Sequence, residues 1–393
     1  MGTFVGIDIA KELHWVCAID TSGTTLLDRK LLNAPEDLLR LAAELKGLAA
    51  PVRVGIDVLG GIACLTQAVL LEAGFELVHV SGLSVNRARE GTVGGESKSD
   101  PRDARVIADQ VRIRRGLRSV QAQSELDIEL RLLVSRRRDL TADQTRRLAR
   151  MHDLLATIFP ELEHSIDLTT KAALVLLSAF VTPADLRQAS AARLRKPFGA
   201  QANRTYVTQL IATARDCAQR QSMSLPGERL TAHLIKELAR EALRTLEQLA
   251  ALDLEIEQRL AHHPDAALIR SLPGMGAVLT AELIAQAGPI ARFKSSDALA
   301  AAAGLAPVLR QSGKVRFLRR PSGGNKALKR VFYQSAFSSL SHPQSKAFYA
   351  RKRQEGKRHH QAVIALARRR VNVLWAMLQN RQPFSPPPSS KSS

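Results

Sequence analysis

The sequence predicts an α/β domain followed by a mostly α remainder: an N-terminal sheet, a long helical coiled-coil insertion and a mostly helical C-terminal domain. Three observations predict it. Short apolar runs of β type crowd the first 80 residues, and two helical stripes without an internal Gly or Pro occupy the middle of the chain. Aromatic residues are only 4% of 393, while Ala, Leu and Arg are abundant, which favours helices over a second β domain. The length allows two or three separate cores.

Residues 3–9, 14–20 and 25–32 read as three short strands separated by turn residues such as Lys11-Glu12 and Ser22-Gly23, the spacing of a β-meander. Pro35 opens a helix in which Leu38, Leu41, Leu45 and Leu48 recur at helical spacing until Pro51. A strand at 52–57, a helix over residues 62–73 ended by Gly74 and a strand at 75–80 follow. Three strands, helix, strand, helix, strand is the order expected of an RNase H-like sheet. Gly91, Gly94 and Gly95 mark a loop before Ser99-Asp100-Pro101-Arg102-Asp103-Ala104, where a helix is expected with Asp100 as its N-cap and Pro101 at its first position.

Residues 124–158 carry an apolar stripe through Leu126, Leu130, Leu133, Leu140, Leu148, Met151, Leu155 and Ile158, and residues 228–261 carry another near heptad spacing. Such a pair is either the core of a helical bundle or an antiparallel coiled-coil arm or dimer seam. Beyond Pro264 a compact segment contains Leu272-Pro273-Gly274-Met275-Gly276 between two helical patterns, and the Pro/Ser/Lys-rich stretch 382–393 is expected to be disordered. The expected domains are 1–120, 121–263 and 264–381, with 382–393 as a tail.

The formal charge is +20, with 57 basic and 37 acidic residues, which implies nucleic-acid phosphates as the partner. Residues 1–80 hold 6 Lys/Arg against 10 Asp/Glu, whereas residues 291–393 hold 21 against 2. The electrostatic footprint is therefore C-terminal. Cys17, Cys64 and Cys217 are odd in number and far apart, which suits a reduced, cytosolic setting and no cysteine metal site. No leader pattern or membrane-length apolar stretch is read, and the basic segments lack the aromatic amphipathic face of a membrane-surface helix.

Four aspartates stand out in this basic chain. Asp8 lies inside Val5-Gly6-Ile7-Asp8-Ile9-Ala10 and Asp57 ends Val52-Arg53-Val54-Gly55-Ile56-Asp57; a charge inside a strand pattern is costly unless it is paired or metal-bound. If both end neighbouring strands, a helix carrying Asp100 and Asp103 can bring all four to one point, and hard oxygen donors suit Mg²⁺. Two such ions about 4 Å apart activate a nucleophile and stabilise the leaving oxygen of a phosphodiester. Each residue also has a plainer reading: Asp100 and Asp103 as helix caps, Asp57 as a loop residue. Gly6 to Lys11 also resembles the first phosphate loop of actin-like sugar kinases, but Ala10-Lys11-Glu12 lacks the glycine and hydroxyl residues that such a loop needs.

In the C-terminal region, Leu272 to Leu283 has the form of a helix-hairpin-helix, whose Gly274 and Gly276 would let the backbone approach a DNA phosphate; a plain αα-turn is the alternative. Further on, Gly304-Leu305-Ala306-Pro307 leads to Gln311-Ser312-Gly313-Lys314, then Arg316, Arg319, Arg320, Lys326, Lys329 and Arg330. A hydroxyl in a basic run can attack a phosphodiester while the cations neutralise the developing charge. A Ser-Gly is also an ordinary turn, and Ser322 in Pro321-Ser322-Gly323-Gly324 fits the same description.

Taken in order, these marks resemble the DEDD transposases of the insertion sequence one-hundred-ten group, of the bridge-RNA-guided recombinase type, over nearly the whole chain. The resemblance implies an RuvC-like domain whose Asp8, Asp57, Asp100 and Asp103 hold Mg²⁺. It also implies a C-terminal serine, matching Ser312, that forms a phosphoserine link to DNA. It further implies a dimer or tetramer in which the carboxylates and the serine meet across subunits, a structured guide RNA, and a cytoplasmic, nucleoid-associated place in a prokaryotic cell. The family usually has a glutamate followed by Thr-Gly at the second acidic position, where this chain has Asp57-Val58-Leu59-Gly60; the shorter side chain would shift or weaken one metal contact. The competing functions are a metal-dependent Holliday-junction resolvase or structure-specific nuclease, which would cut with water and leave Ser312 a mere turn, and a non-enzymatic architectural binder.

Overall fold

The computed structural model describes residues 2–91, 97–122, 124–199, 203–313, 315–319, 321 and 323–385. Internal contacts divide the chain into two compact units, Met1–Ser124 and Glu125–Ser393.

The first unit contains β1 (Thr3–Asp8), β2 (Leu13–Ile19), β3 (Thr25–Leu32), α1 (Pro35–Lys46), β4 (Val52–Ile56), α2 (Cys64–Glu72), β5 (Glu76–His79), α3 (Gly82–Glu90), α4 (Asp100–Ile113) and β6 (Arg118–Ser119). The expected succession of strands and helices up to β5 is the observed one; α3 and the short β6 are additions. The sheet order is β3-β2-β1-β4-β5-β6, consistent with an RNase H-like domain. Strands β1, β2 and β3 form the antiparallel meander, while β4 runs parallel to β1 and β5 parallel to β4.

Side-chain alternation along β1 and β4 sorts the two faces. Val5, Ile7, Val54 and Ile56 pack with Leu38, Leu41 and Leu45 of α1 and Leu70 of α2, each fully buried Leu contributing roughly 1.5–3 kcal/mol. The opposite face takes α4, whose Val106, Ile107 and Val111 pack with Val78 and Val80 while its Ala104 and Ala108 pack with Cys17 and Ile19. Gly6 and Gly55 are what let that helix in. A Cβ on Gly6 would run into the main chain at Ala104 and Ala108, and one on Gly55 into Val111.

The second unit contains α5 (Glu125–Ile158), α6 (Pro160–Ser165), α7 (Lys171–Ala179), α8 (Pro183–Gln188), α9 (Ala191–Arg195), α10 (Arg204–Arg220), α11 (Glu228–Ala261), α12 (Ala266–Ser271), α13 (Ala277–Ala287), α14 (Ser296–Ala302), β7 (Val308–Ser312), β8 (Val315–Arg319), α15 (Lys326–Ser338), α16 (Pro343–Gln354) and α17 (His359–Asn380). The two long helices α5 and α11 lie antiparallel within the chain, clipped by Arg137–Asp253, by Arg147–Glu241 at 3.1 Å and by Arg259–Glu129 at 3.3 Å. They thread two cores. Met151 and Leu155 of α5 join Ile235 and Ala242 of α11 with helices α6 to α10, whereas Leu130 and Val134 join Ile256 and Leu260 with α12 to α17.

Residues 386–393 of the expected disordered tail lie outside the described residues, as do Gly94 and Gly95 of the loop before α4. Among the described residues no helix is long and apolar enough to cross a membrane.

Candidate active site and nucleic-acid surface

Ile7 pairs with Ile56 in the parallel register of β1 and β4, so Asp8 and Asp57 leave the sheet side by side. Both lie two residues beyond a glycine that faces α4, and the period of two turns both carboxylates to that same face. The tetrapeptide Val-Gly-Ile-Asp occurs twice, at Val5–Asp8 and Val54–Asp57. That repetition was a legible signal: each copy supplies a gap for α4 and a carboxylate at its N-terminal end. Asp57 is also fixed by the backbone, since Ile9 N–H donates to its Oδ1 at 3.2 Å.

The start of α4 corrects the sequence expectation by one position. Ser99 is the N-cap residue and makes no side-chain cap, Asp100 is the first helical residue and Pro101 the second. Asp100 is therefore not the cap; it stands exposed at the helix start, where a carboxylate still favours the dipole. Asp103 is 5% exposed and is not a cap either. Its two oxygens accept from Arg89 Nη1 at 2.9 and 3.1 Å.

Asp8 responds to its neighbours. Its pKa is pushed up from 3.8 to about 7 by burial first, then by Asp57, Asp103 and Asp100, with Lys98 opposing. Asp57 is raised as well, again mainly by burial, and partly relieved by the Ile9 N–H bond and by His79. The four aspartates thus share one electrostatic neighbourhood; Asp57 is a loop residue, one position beyond β4, but one that the Ile9 N–H holds, and Asp103 is not a cap. Among the described residues, however, no group of three or more His, Cys, Asp or Glu is close enough together to hold an ion. By donor type the carboxylates fit a hard divalent cation, which would offset the repulsion that Asp8 feels from Asp57, Asp103 and Asp100; Asp103 is already paired with Arg89.

Two residues at this site escaped the sequence reading. Arg89, 8% exposed at the end of α3, pairs with Asp103, and His79 Nε2 bonds the Asp57 carbonyl at 3.1 Å from the end of β5, its pKa lowered mainly by burial. His79 was findable as the last residue of a strand next to β4. Arg89 was not, because it lies in a helix with no strong apolar period.

The serine sits in a different setting. Ser312 is the last residue of β7, not a loop residue, and Gly313 turns the chain at φ +54°. The ribbon β7–β8 pairs Ser312 with Val315, Arg310 with Phe317 and Val308 with Arg319. Directly opposed residues of an antiparallel pair share a face, so Ser312 shares its face with Arg310 and Arg319, while Leu309, Leu318, Gln311 and Arg316 occupy the other. Every described residue of both strands is exposed. Ser312 Oγ makes no hydrogen bond to a described residue. The ribbon is closed at its base by glycines: Gly304 at φ +61° and Gly324 at φ +101° pack against each other, and Asn325 N–H donates to Ala302 O at 2.7 Å.

Lys314, Arg320 and Ser322 lie outside the described residues. Arg316, Arg319 and Lys326 are exposed, as phosphate contacts require, and Lys329 is half-buried. Arg330 is exposed too, but its Nη2 pairs with buried Glu282 at 2.6 Å, so it shares its charge with that carboxylate.

The expected helix-hairpin-helix is α12, the Leu272–Gly276 turn and α13. Gly274 adopts φ +80°, and a Cβ on it would lie 2.5 Å from Ser335 O and 2.9 Å from Ser339 N. Its smallness serves packing against the end of α15. Gly276 precedes α13 with open space around its Cα, but both glycines line a cavity shared with Asp253 and Glu257. Those carboxylates are paired with Arg137 and Arg270, and they make this turn less cationic than the ribbon.

A transposase family model of the DEDD type, from the IS110 group, matches residues 5–160, and the model described as Transposase IS116/IS110/IS902 family matches residues 266–350. The chain is 40% identical over 388 residues to the insertion element IS116 uncharacterized 44.8 kDa protein of Streptomyces clavuligerus, covering 98% of this chain and 96% of that one. It is likewise 40% identical over 389 residues to the insertion element IS900 uncharacterized 42 kDa protein of Mycobacterium paratuberculosis, covering 98% and 97%. The mini-circle putative transposase for IS117 of Streptomyces coelicolor is 31% identical over 400 residues, covering 97% and 95%.

Proposed function

From the premise that this chain belongs to the IS116/IS110/IS902 family of transposases, and is thus a DNA transposase or recombinase, we propose that it moves its own element by serine attack on DNA phosphate. The N-terminal unit then works as an RuvC-like domain. The observation that supports its share is that Asp8, its pKa raised to about 7 chiefly by burial, also feels the charges of Asp57, Asp103 and Asp100.

Asp8, Asp57 and Asp100 are the carboxylates that would hold Mg²⁺, and Asp103 joins them only by giving up Arg89. Bound there, the ion supplies Lewis-acid neutralisation of phosphate charge. Asp57 is oriented for this by the Ile9 N–H, and His79 holds the turn that carries it.

Ser312 Oγ forms a bond to the DNA phosphorus as the bond from phosphorus to one deoxyribose oxygen breaks. The proton leaves Oγ and the departing alkoxide gains one, so no water is consumed and the phosphoserine link conserves the ester for rejoining. Arg310 and Arg319, on the same ribbon face, supply the cations for the phosphorane. Arg316, Lys326 and Lys329 contact phosphate without reading sequence. The protein acts as a dimer or tetramer and takes its targeting from a structured RNA of the element.

Trapping tests this reading. Denatured reactions on element-end DNA are expected to hold a covalent protein–DNA adduct that Ser312→Ala abolishes. Cleavage retained in Ser312→Ala would hand the chemistry to water at the carboxylate site and make the protein a metal-dependent nuclease. Co-purification with the native flanking DNA, followed by sequencing of bound RNA, tests the guide.

A further inference from the structure

Apart from the acidic site and the ribbon, the C-terminal unit holds a cavity of about 640 Å³ between α16, α17 and the Leu272–Pro273 turn, with Phe384 on its wall. Its size falls within the roughly 300–1,000 Å³ of small-molecule sites, room for one nucleotide and too little for a duplex. Three features of its lining bear on what enters.

The first is Arg370, which is 5% exposed. Its Nε and Nη2 donate to Ser335 Oγ at 3.1 and 2.7 Å, and Nη2 also reaches Pro273 O. All these partners are neutral. Nη1 has no partner among the described residues, and burial alone lowers the pKa to about 10, so the group keeps its proton at neutral pH without a counter-charge. A buried cation in that state favours an anion.

The second is Phe348, a ring on the cavity wall with Arg351 at 5.1 Å, Arg369 at 5.2 Å and Lys352 at 5.6 Å over it, measured to its centroid. A cluster of guanidinium groups on an aromatic ring is a surrounding in which unpaired bases stack. The third is the start of α16, a helix of 12 residues. His342 precedes it without a side-chain cap, and Gln344 and Ser345 of its first turn line the cavity, leaving N–H groups for a phosphate.

We propose that this cavity takes one unstacked nucleotide of a nucleic-acid strand, with the base on the cluster of Phe348 and the cations over it and the phosphate on Arg370 and the first turn of α16. This rests on the nucleic-acid reading above and adds to it a site for an unpaired base, which phosphate contacts alone do not supply. RNA and single-stranded DNA share the chemistry, since both offer an open base face beside a phosphate; a duplex hides that face.

The test uses the full chain with three fluorescent probes at fixed salt: oligothymidylate, oligouridylate and a DNA duplex. The variants are Phe348→Leu, which keeps apolar bulk and charge, and Arg369→Gln, each checked for parental circular dichroism. Phe348→Leu is expected to weaken single-strand binding by at least about fivefold, the lower end of what one stacked base is worth, and to leave duplex binding unchanged. Arg369→Gln weakens the same single strands. Loss on only one of the two single strands names RNA or DNA as the source and supports the proposal. A 4-thiouridine or 4-thiothymidine probe is expected to photocrosslink within Pro343–Gln354. Equal single-strand affinity in Phe348→Leu, or crosslinks confined to other segments, overturns the proposal while leaving duplex binding and the transposase reading intact. Failure of the parent to bind any of the three probes overturns both.

Discussion

Asp8 ends a strand whose Val5 and Ile7 are fully buried, whereas Ser312 ends a strand with no buried residue at all. The carboxylates are held by packing: Gly6 and Gly55 admit α4, and α4 brings Asp100 and Asp103 toward Asp8 and Asp57. The serine is held only by a ribbon pinned at its glycine base, with Val315, Phe317 and Leu318 at 61%, 53% and 68% exposure. The difference follows from charge. Like charges repel, so a carboxylate cluster survives only where surrounding contacts fix it. A neutral hydroxyl has no such cost, and its ribbon can take shape against whatever covers it, since a lone two-stranded ribbon is marginal in water.

The largest expected effect breaks the packed side of this contrast. Gly6→Ala places a methyl against the main chain of α4; overpacking against backbone costs on the order of 3 kcal/mol or more, and soluble folded protein is expected to be lost, as judged by limited proteolysis of the N-terminal unit. The equivalent Gly313→Ala on the ribbon meets open space and strains only φ, so its melting temperature stays near the parent's. Next comes Arg89→Gln, which leaves Asp103 buried without its cation. Removal of one partner of a buried pair costs about 3–5 kcal/mol, seen as a lower midpoint in urea; an unchanged midpoint would mean that the pair contributes nothing to the fold.

Asp8 gives a smaller effect of opposite sign. Its folded pKa of about 7 lies above the ordinary 3.8, so the stability tied to its proton is fully present below about pH 4 and is lost as pH rises through about 7. Metal-free protein should therefore melt lower on the alkaline side of pH 7 than on the acid side. Asp8→Asn should flatten that slope and raise the alkaline melting temperature while abolishing strand transfer. Magnesium should raise the alkaline melting temperature of the parent and not of the variant. A parent with no slope across this range would deny the charge crowding. The smallest effect belongs to the ribbon: Arg316→Gln and Arg319→Gln should each reduce the dependence of log DNA affinity on log salt by about 1, with no change in melting temperature.

Much of the N-terminal unit was legible because the relevant periods are local. The alternation of β1 and β4, the leucines of α1 and the Ser99–Asp103 start of α4 all write their structure into a few consecutive residues, and the carboxylates were found on that basis. Charge composition likewise located the basic C-terminal region. The ribbon was not legible: Val308–Arg319 lacks an apolar core face, and a Ser-Gly reads as a turn. Nor could it be read that Arg330 pairs with Glu282, 48 residues away, that Arg89 is spent on Asp103, or that Gly274 is small for the sake of Ser335.

The sequence alone determined which elements form and which residue types stand at their ends, because strand alternation, helix caps and leucine spacing act over one or two turns of chain. It also determined the kind of partner, because net charge needs no fold to be counted. Only the tertiary structure decided which charges remain free. Among the described residues Asp8 is left without a cationic partner and Asp103 has one, Arg370 lacks a counter-ion and Arg330 has one, because pairing depends on which distant side chains packing brings within hydrogen-bond reach, and no local pattern records that distance.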